Sequence, residues 1–176
     1  TMYDLYKVML NARGHRGAID FEMTETQFIF DDNRKIKSIE PRERNDAHRL
    51  IEEFMVAANV SAAKFLLQNK LPALYRVHET PSDEKLSNLR EFLGELGLML
   101  GGGDEPQPAH YASLLDNARK RPDGHLLQTV MLRSLKQAIY SPDNVGHFGL
   151  ALDAYAHFTS PIRRYPDLLV HRAIKH

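Results

Sequence analysis

Residues 44–68 read RNDAHRLIEEFMVAANVSAAKFLLQ, the longest stretch of the sequence with one regular period. Apolar residues recur there at intervals of three and four, as on one face of an α-helix: Leu50, Ile51, Phe54, Met55, Ala58, Ala62 and Phe65. Asn45 or Asp46 can cap the start of this helix, and Leu71-Pro72 follows its end. We predict a helix over residues 46–68, about 35 Å long at ~1.5 Å per residue, against which strands pack.

A second, more polar stripe runs along the same helix. Residues seven apart differ by only ~20° around a helix axis, so Glu52 and Asn59 point the same way. A polar pair on a helix otherwise built for burial favours a functional face. For Glu52, the alternative is an exposed helix carboxylate of no special role.

The composition limits the class of protein. The chain has 176 residues, of which 43% are apolar, with 23 Lys plus Arg and 23 Asp plus Glu. This suffices for one globular core, so we expect one domain or a large piece of one. The absence of Cys excludes disulfides, thiolate zinc sites and cysteine nucleophiles. Because nothing then indicates an oxidising compartment, we predict a cytoplasmic location. No apolar run approaches the ~18–20 residues of a bilayer span, so we predict no membrane partner.

The remaining patterns predict an α+β fold, in which antiparallel strands are packed by the long helix and several further helices. Strands are predicted over residues 18–21, 26–30, 36–39 and 73–78, and near Tyr155. Helices are predicted over residues 3–12, 82–96, 111–120 and 125–139. At both ends, Thr1-Met2 and Lys175-His176, the periodic pattern stops without a start or stop signal, so we expect a fragment of a longer polypeptide.

Residues 159–164, TSPIRR, contain the clearest binding signal. A hydroxyl residue followed by proline is typical of a helix start, so we predict a helix from Pro161 with Thr159 or Ser160 as N-cap. Arg163 and Arg164 would then occupy the first turn, where cations are disfavoured unless an anion shares the site. This predicts a phosphate-binding turn. The alternative is a solvated turn whose arginines pair with Asp167 or another carboxylate.

Several long motifs carry a family resemblance. Residues 146–175, GHFGLALDAYAHFTSPIRRYPDLLVHRAIK, closely resemble the end of the catalytic domain in the ribonuclease II/ribonuclease R family of 3′-to-5′ exoribonucleases. RGAIDF at 16–21, RNDAHRLIEEFMVAAN at 44–59 and ALYRVHE at 73–79 match the same family in the same order. The ribonuclease R branch is the better match. The resemblance identifies residues 1–176 as the C-terminal part of an RNB-type catalytic domain.

The resemblance implies what the intact protein does. It would hydrolyse single-stranded RNA processively from the 3′ end to nucleoside 5′-monophosphates, without reading the sequence. The aspartate half of the catalytic domain and the flanking oligonucleotide-binding domains are absent from this chain. The fragment is therefore expected to supply RNA contacts and to be inactive alone.

Roles follow for individual residues. By resemblance, Arg163 is the catalytic residue that contacts the scissile phosphate, Phe21 stacks against the last bases, and Glu52 accepts a hydrogen bond from a ribose 2′-hydroxyl. A core aromatic is the alternative for Phe21.

Further substrate-binding candidates come from the polar stripe and the turn. They are Asn59, Thr159, Ser160 and Arg164. Thr159 and Ser160 are expected to act first as capping residues.

No metal ligand is assigned. The family holds magnesium with a tight cluster of aspartates. Here Asp31-Asp32 is a turn pair and Asp20 stands alone, so Mg²⁺ is expected in the intact enzyme, on ligands upstream of this chain, with none bound by the fragment. His147 and His157 are ten residues apart and are interpreted as surface or hydrogen-bonded histidines.

Two other classes of function stay open. One is a non-catalytic RNA-binding or scaffold segment of a protein whose metal site is elsewhere or lost. The other is a helical interaction domain in which SPIRRYP is structural. No protein partner can be inferred.

Overall fold

A computed structural model describes residues 1–21, 26–42 and 45–175. The helices are α1 (Met2–Arg16), α2 (Asp46–Gln68), α3 (Asp83–Glu95), α4 (Pro108–Ala118), α5 (Gly124–Ser134) and α6 (Tyr165–Lys175). The strands are β1 (Thr26–Phe30), β2 (Ile36–Pro41), β3 (Tyr75–Val77) and β4 (Ile139–Ser141), and a short 3₁₀ turn covers Phe148–Leu150. The predicted α+β class is confirmed. Arg44 and His176, which belong to the motifs above, lie outside the described residues.

Helix α2 has the predicted bounds because its caps and its periodicity agree. The Asn45 side chain accepts a hydrogen bond from the His48 backbone N–H at 3.1 Å, and the His48 ring accepts one from the Asn45 N–H at 3.3 Å. Helix α1 is attached to α2 by Arg13, whose guanidinium donates to Glu53 at 2.6 Å and to Asp20 at 3.2 Å. Because Glu53 is buried, this ion pair compensates a charge that would otherwise be costly.

The first hydrophobic core joins α3, α4 and α5. Its fully buried side chains include Leu93, Tyr111, Leu127 and Met131. Gly17 ends α1 with φ +77°, and a Cβ atom there would lie 2.7 Å from Ala109 Cβ, so only glycine fits. The chain then enters this core at Ile19.

The second core lies between α2, β3 and α6. Its buried members are Ala62, Ala63, Leu66, Tyr75, Val77, Ala154, Ala156 and Val170. Strand β3 pairs antiparallel with β4, with Val77 opposite Ile139. On its other side, the Arg76 backbone N–H donates to the Tyr155 carbonyl oxygen at 2.8 Å. This contact sets the segment before residue 158 beside β3 and directs the chain into the arginine turn.

The predicted hairpin is present as β1 and β2, with Phe28 opposite Ile39. Its turn is closed by the Asp31 carboxylate, which accepts from the backbone N–H groups of Asn33 and Lys35 at 2.9 and 2.8 Å. The carboxylate adds to the backbone contacts of the turn, in which the Asp31 N–H donates to the Lys35 carbonyl oxygen at 2.8 Å and the Arg34 N–H to the Asp31 carbonyl oxygen at 2.9 Å.

Other predicted elements differ from the structure. Residues 18–21 do not form a strand; the Ile19 N–H instead donates to the Gly149 carbonyl oxygen at 2.9 Å. Tyr155 also lies outside any strand, although its carbonyl binds β3. The helix predicted over 125–139 ends at Ser134 because Leu135 is extended and Ile139 pairs in β4.

Within residues 1–21, 26–42 and 45–175, none of the helices combines the length and the apolar character required to span a bilayer.

Candidate functional site

The arginine turn precedes α6 and is not part of it. The Ser160 carbonyl oxygen accepts hydrogen bonds from the backbone N–H groups of Arg163 and Arg164 at 3.3 and 3.0 Å, and α6 begins at Tyr165. The prediction of a helix from Pro161 is wrong because Pro166 would lie inside it. There a proline lacks the N–H donor and its ring clashes with the carbonyl four residues earlier. In the first turn of α6, Pro166 removes no helical bond.

Thr159 and Ser160 do not cap α6, because the helix begins five residues after Ser160. The first helical bond runs from the Leu168 N–H to the Arg164 carbonyl oxygen at 3.4 Å. The Thr159 hydroxyl is buried and has no hydrogen-bond partner among the described residues. The capping roles predicted for these two residues are therefore wrong, whereas their contact with RNA stays a prediction.

Asp167 holds the turn from inside the protein. This residue is completely buried, and its Oδ1 accepts from the Ser160 N–H and from the Arg164 guanidinium, both at 2.7 Å. The Arg164 side chain is only 21% exposed. Arg164 pairs with Asp167, as the alternative interpretation of the sequence predicted, but the pair is directed inward and not solvated, and Arg163 takes no part in it.

Arg163 has the opposite environment. Its side chain is exposed and makes no ion pair with the described residues. The backbone N–H groups of Ser160, Arg163 and Arg164 all donate within the protein. These three N–H groups are therefore not free to bind an anion, whereas the Arg163 guanidinium is exposed.

Asn59 fixes the chain just before the turn. Its side chain is 2% exposed, and its Oδ1 accepts from the backbone N–H groups of Phe158 at 2.9 Å and Thr159 at 3.3 Å. Its Nδ2 donates to the Tyr155 hydroxyl at 2.9 Å. These contacts are all internal, so the observed role of Asn59 is to hold residues 158 and 159. A direct contact of Asn59 with RNA stays a prediction.

Phe21 and Glu52 lie elsewhere. Phe21 is half-buried and packs against the first core, and no hydrogen bond or ring contact joins it to the turn in the part of the chain that is described. Glu52 is half-buried on α2, seven residues before Asn59 and next to the buried Glu53. Their roles towards RNA stay predictions.

A row of buried and half-buried aromatic rings borders the turn, and the sequence analysis missed it. His78, His147, Tyr155 and His157 follow one another edge to face, with centroids 5.1, 5.4 and 5.7 Å apart. The Tyr140 hydroxyl and His157 Nδ1 are 2.7 Å apart. The available signal was the interval of two between residues 155 and 157, which sets both side chains on one face of an extended segment.

These histidines are uncharged at neutral pH. Burial lowers the pKa of His147 from its usual value near 6.5 to about 4, with a smaller contribution from His78. Burial likewise lowers the pKa of His157 to about 4, and the nearby Arg164 contributes. Burial also raises the pKa of the Tyr155 hydroxyl. The histidine side chains beside the turn are therefore uncharged, and the positive charge of the turn itself comes from Arg163 and Arg164.

The described residues contain no group of three or more His, Asp or Glu side chains able to hold a metal ion. The described residues thus lack the tight carboxylate cluster with which, by resemblance, the family would hold magnesium. Its ligands in the intact protein stay a prediction.

Comparison with known proteins assigns the family. The sequence pattern of the RNB domain matches residues 1–176. The chain belongs to the RNB domain family. It is 60% identical over 175 residues to ribonuclease R of Vibrio cholerae, a match that covers 99% of this chain and 21% of that protein.

Solved structures of the same family are similar throughout the chain. Mycoplasma genitalium RNase R in complex with ribose-methylated single-stranded RNA matches with a TM-score of 0.91 and 35% identity, over 98% of this chain and 27% of that one. The complex of that enzyme with double-stranded RNA matches with a TM-score of 0.92 and 35% identity, over 99% of this chain and 31% of that one. The resemblance to the ribonuclease R branch is confirmed. The chain spans about a fifth of the length of the curated relatives it matches.

We expect Asn59→Ala to lower the free energy of unfolding of this chain by about 2–4 kcal/mol. The substitution leaves the buried Tyr155 hydroxyl without its donor and the backbone N–H groups of residues 158 and 159 without their acceptor. Tyr155→Phe, the matched control, removes only one of these contacts and should cost about 1 kcal/mol. Urea titration of both variants measures the free energy of unfolding. Equal costs would show that Asn59 does not hold residues 158 and 159.

Acid should weaken the fold through the buried histidines. An unfolded histidine binds a proton near pH 6.5, whereas folded His147 and His157 bind one only near pH 4. Between these values the unfolded chain binds more protons, so the free energy of unfolding decreases as the pH falls from 6.5 to about 4.

Urea titrations across this range measure the slope. His147→Asn, whose Oδ1 can still accept from the Leu150 N–H, should make the slope shallower. His125→Gln, on the exposed side of α5, should leave it unchanged. If the free energy of unfolding changed with pH equally in the parent and in His147→Asn, His147 would not be a source of the acid sensitivity.

Proposed function

We propose that this chain is the RNA-contacting, C-terminal part of the catalytic domain of a 3′-to-5′ exoribonuclease. The intact protein would hydrolyse single-stranded RNA processively to nucleoside 5′-monophosphates. Membership of the RNB domain family, 60% identity to a ribonuclease R and the similarity to RNase R structures that contain RNA support this proposal. The observation that carries it is Arg163, an exposed guanidinium on a turn that the protein holds rigidly.

The turn suits a phosphate undergoing attack. A guanidinium fork donates two parallel hydrogen bonds to phosphate oxygens, and its pull increases as charge develops in the transition state. Because Asp167 and Asn59 fix the backbone of residues 158–160, Arg163 needs little reorganisation on binding. Arg164 is partly neutralised by Asp167, which leaves one free cation for one phosphate.

The remaining contacts explain selection for RNA without selection for sequence. In this proposal Phe21 stacks on terminal bases, a contact that any base can make. Glu52 accepts a hydrogen bond from a ribose 2′-hydroxyl, the group that distinguishes RNA from DNA. None of these contacts reads the edge of a base.

Magnesium belongs to the proposal only for the intact protein. The described residues offer no carboxylate cluster, so we place its ligands outside this chain and expect the chain alone to be inactive. We also propose that the intact protein acts in the cytoplasm, since a chain without Cys gives no sign of an oxidising compartment.

Arg163→Ala in the intact protein should lower kcat on single-stranded RNA by about 10²–10³-fold, because it removes the charge at the phosphate. Arg172→Ala is the matched control: Arg172 is an exposed arginine on α6, and its loss should leave the rate within about twofold. Initial rates on 5′-labelled RNA measure both. An Arg163→Ala enzyme with the parent rate would refute the phosphate role.

The isolated chain provides a second test. Incubated with 5′-labelled single-stranded RNA and Mg²⁺, it should bind RNA but give no product ladder, while the intact protein shortens the same RNA stepwise. A ladder from the isolated chain that disappears in Arg163→Ala would mean that metal ligands lie within it. An intact protein that binds RNA without shortening it would favour the non-catalytic alternative.

A further inference from the structure

The buried carboxylate of Asp167 does not contact the phosphate in the proposed function, yet it contacts the turn that carries Arg163. We propose that Asp167 is a positioning residue: it fixes the backbone of residues 160–164 and retains Arg164, so that Arg163 alone is presented to the scissile phosphate. This inference rests on the proposed function and adds to it the group that selects between two adjacent arginines.

The burial of Asp167 is the first observation. A carboxylate with no exposed surface is costly unless charges and hydrogen bonds compensate it. Both observed partners, the Ser160 N–H and the Arg164 guanidinium, belong to the turn and lie 2.7 Å from the same oxygen. The contacts that compensate this buried carboxylate at Oδ1 therefore both belong to the turn, while its Oδ2 has no hydrogen-bond partner among the described residues.

The second observation is the short connection from Asp167 to Arg163. Asp167 binds the N–H of Ser160, and the carbonyl of Ser160 accepts from the N–H groups of Arg163 and Arg164. Pro161 lies between, and its ring fixes φ near −65°. The position of the carboxylate thus determines where the Arg163 backbone lies, with one residue as intermediary.

The third observation concerns charge. Arg163 and Arg164 are consecutive and carry the same charge, but only Arg164 is paired, and its side chain is 21% exposed. If the pairing were lost, the turn would lose one of its two attachments to Asp167, and Arg163 would be held less firmly where charge develops on the phosphate in the transition state. Loss of Asp167 should therefore lower kcat with little change in KM.

The test is Asp167→Asn in the intact protein, compared in the parent and in an Arg163→Ala background. Asparagine keeps the size and an acceptor for Ser160 but loses the charge that retains Arg164. In the parent we expect kcat to fall at least about tenfold, with KM for single-stranded RNA within about threefold. In the Arg163→Ala background, Asp167→Asn should change the rate by less than about twofold, because the residue it positions is gone.

Single-turnover rates with enzyme in excess make the slow background measurable. Equal losses in both backgrounds would overturn the proposal, since a merely structural role does not depend on Arg163. No loss in the parent would overturn it as well. If Arg163→Ala itself leaves kcat unchanged, the proposed function fails, and this outcome is distinguishable from failure of the positioning role alone.

Val170→Ala controls for lost stability. Val170 is fully buried on α6, one turn beyond Asp167, so its truncation lowers the melting temperature without touching the arginine turn. At a temperature below all transitions it should keep the parent rate. If circular dichroism shows that Asp167→Asn does not fold, Arg164→Gln removes the same ion pair, and the two-background comparison is made with that variant under the same criteria.

Discussion

The need to satisfy three consecutive backbone N–H groups shapes the site. These groups belong to residues 158–160, which follow the second core and pair with no strand. A buried N–H without an acceptor is costly, so side chains must supply the oxygens. Asn59 from α2 serves the first two groups, and Asp167 from α6 serves the third. The same contacts that satisfy the backbone also join both helices to the arginine turn.

Local signals in the sequence predicted those elements whose determinants are local. Helix α2 was predicted to its ends because its cap and its period lie within the helix itself. The hairpin of β1 and β2 follows from alternation and an acidic turn. Helix α6 was placed too early because Ser160-Pro161 carries a start signal, while Pro166 carries a stronger constraint on where a helix can run.

The residue types of the site could be predicted from the sequence, but the different environments of Arg163 and Arg164 could not. Consecutive arginines before a helix indicate an anion site, yet only the burial of Asp167 shows which arginine is retained. The row of histidines escaped the sequence analysis because His78 lies far from His147 and His157 in the chain. Their contacts depend on the pairing of β3 with its neighbours, which no local pattern contains.

These features together give the site a simple electrostatic character. Neutral rings flank the turn because burial disfavours protonation of the histidines, and Asp167 balances Arg164. Of the two arginines in the turn, only Arg163 is then exposed and without an ion pair among the described residues, whereas Arg76, outside the turn, lies over the Tyr140 ring. A second free cation would strengthen the binding of any polyanion equally in the ground state and the transition state, and such uniform binding does not raise kcat. Under the proposed function, a buried acid that retains one of two arginines therefore suits a turn that contacts a single reacting phosphate, rather than one with general affinity for nucleic acid.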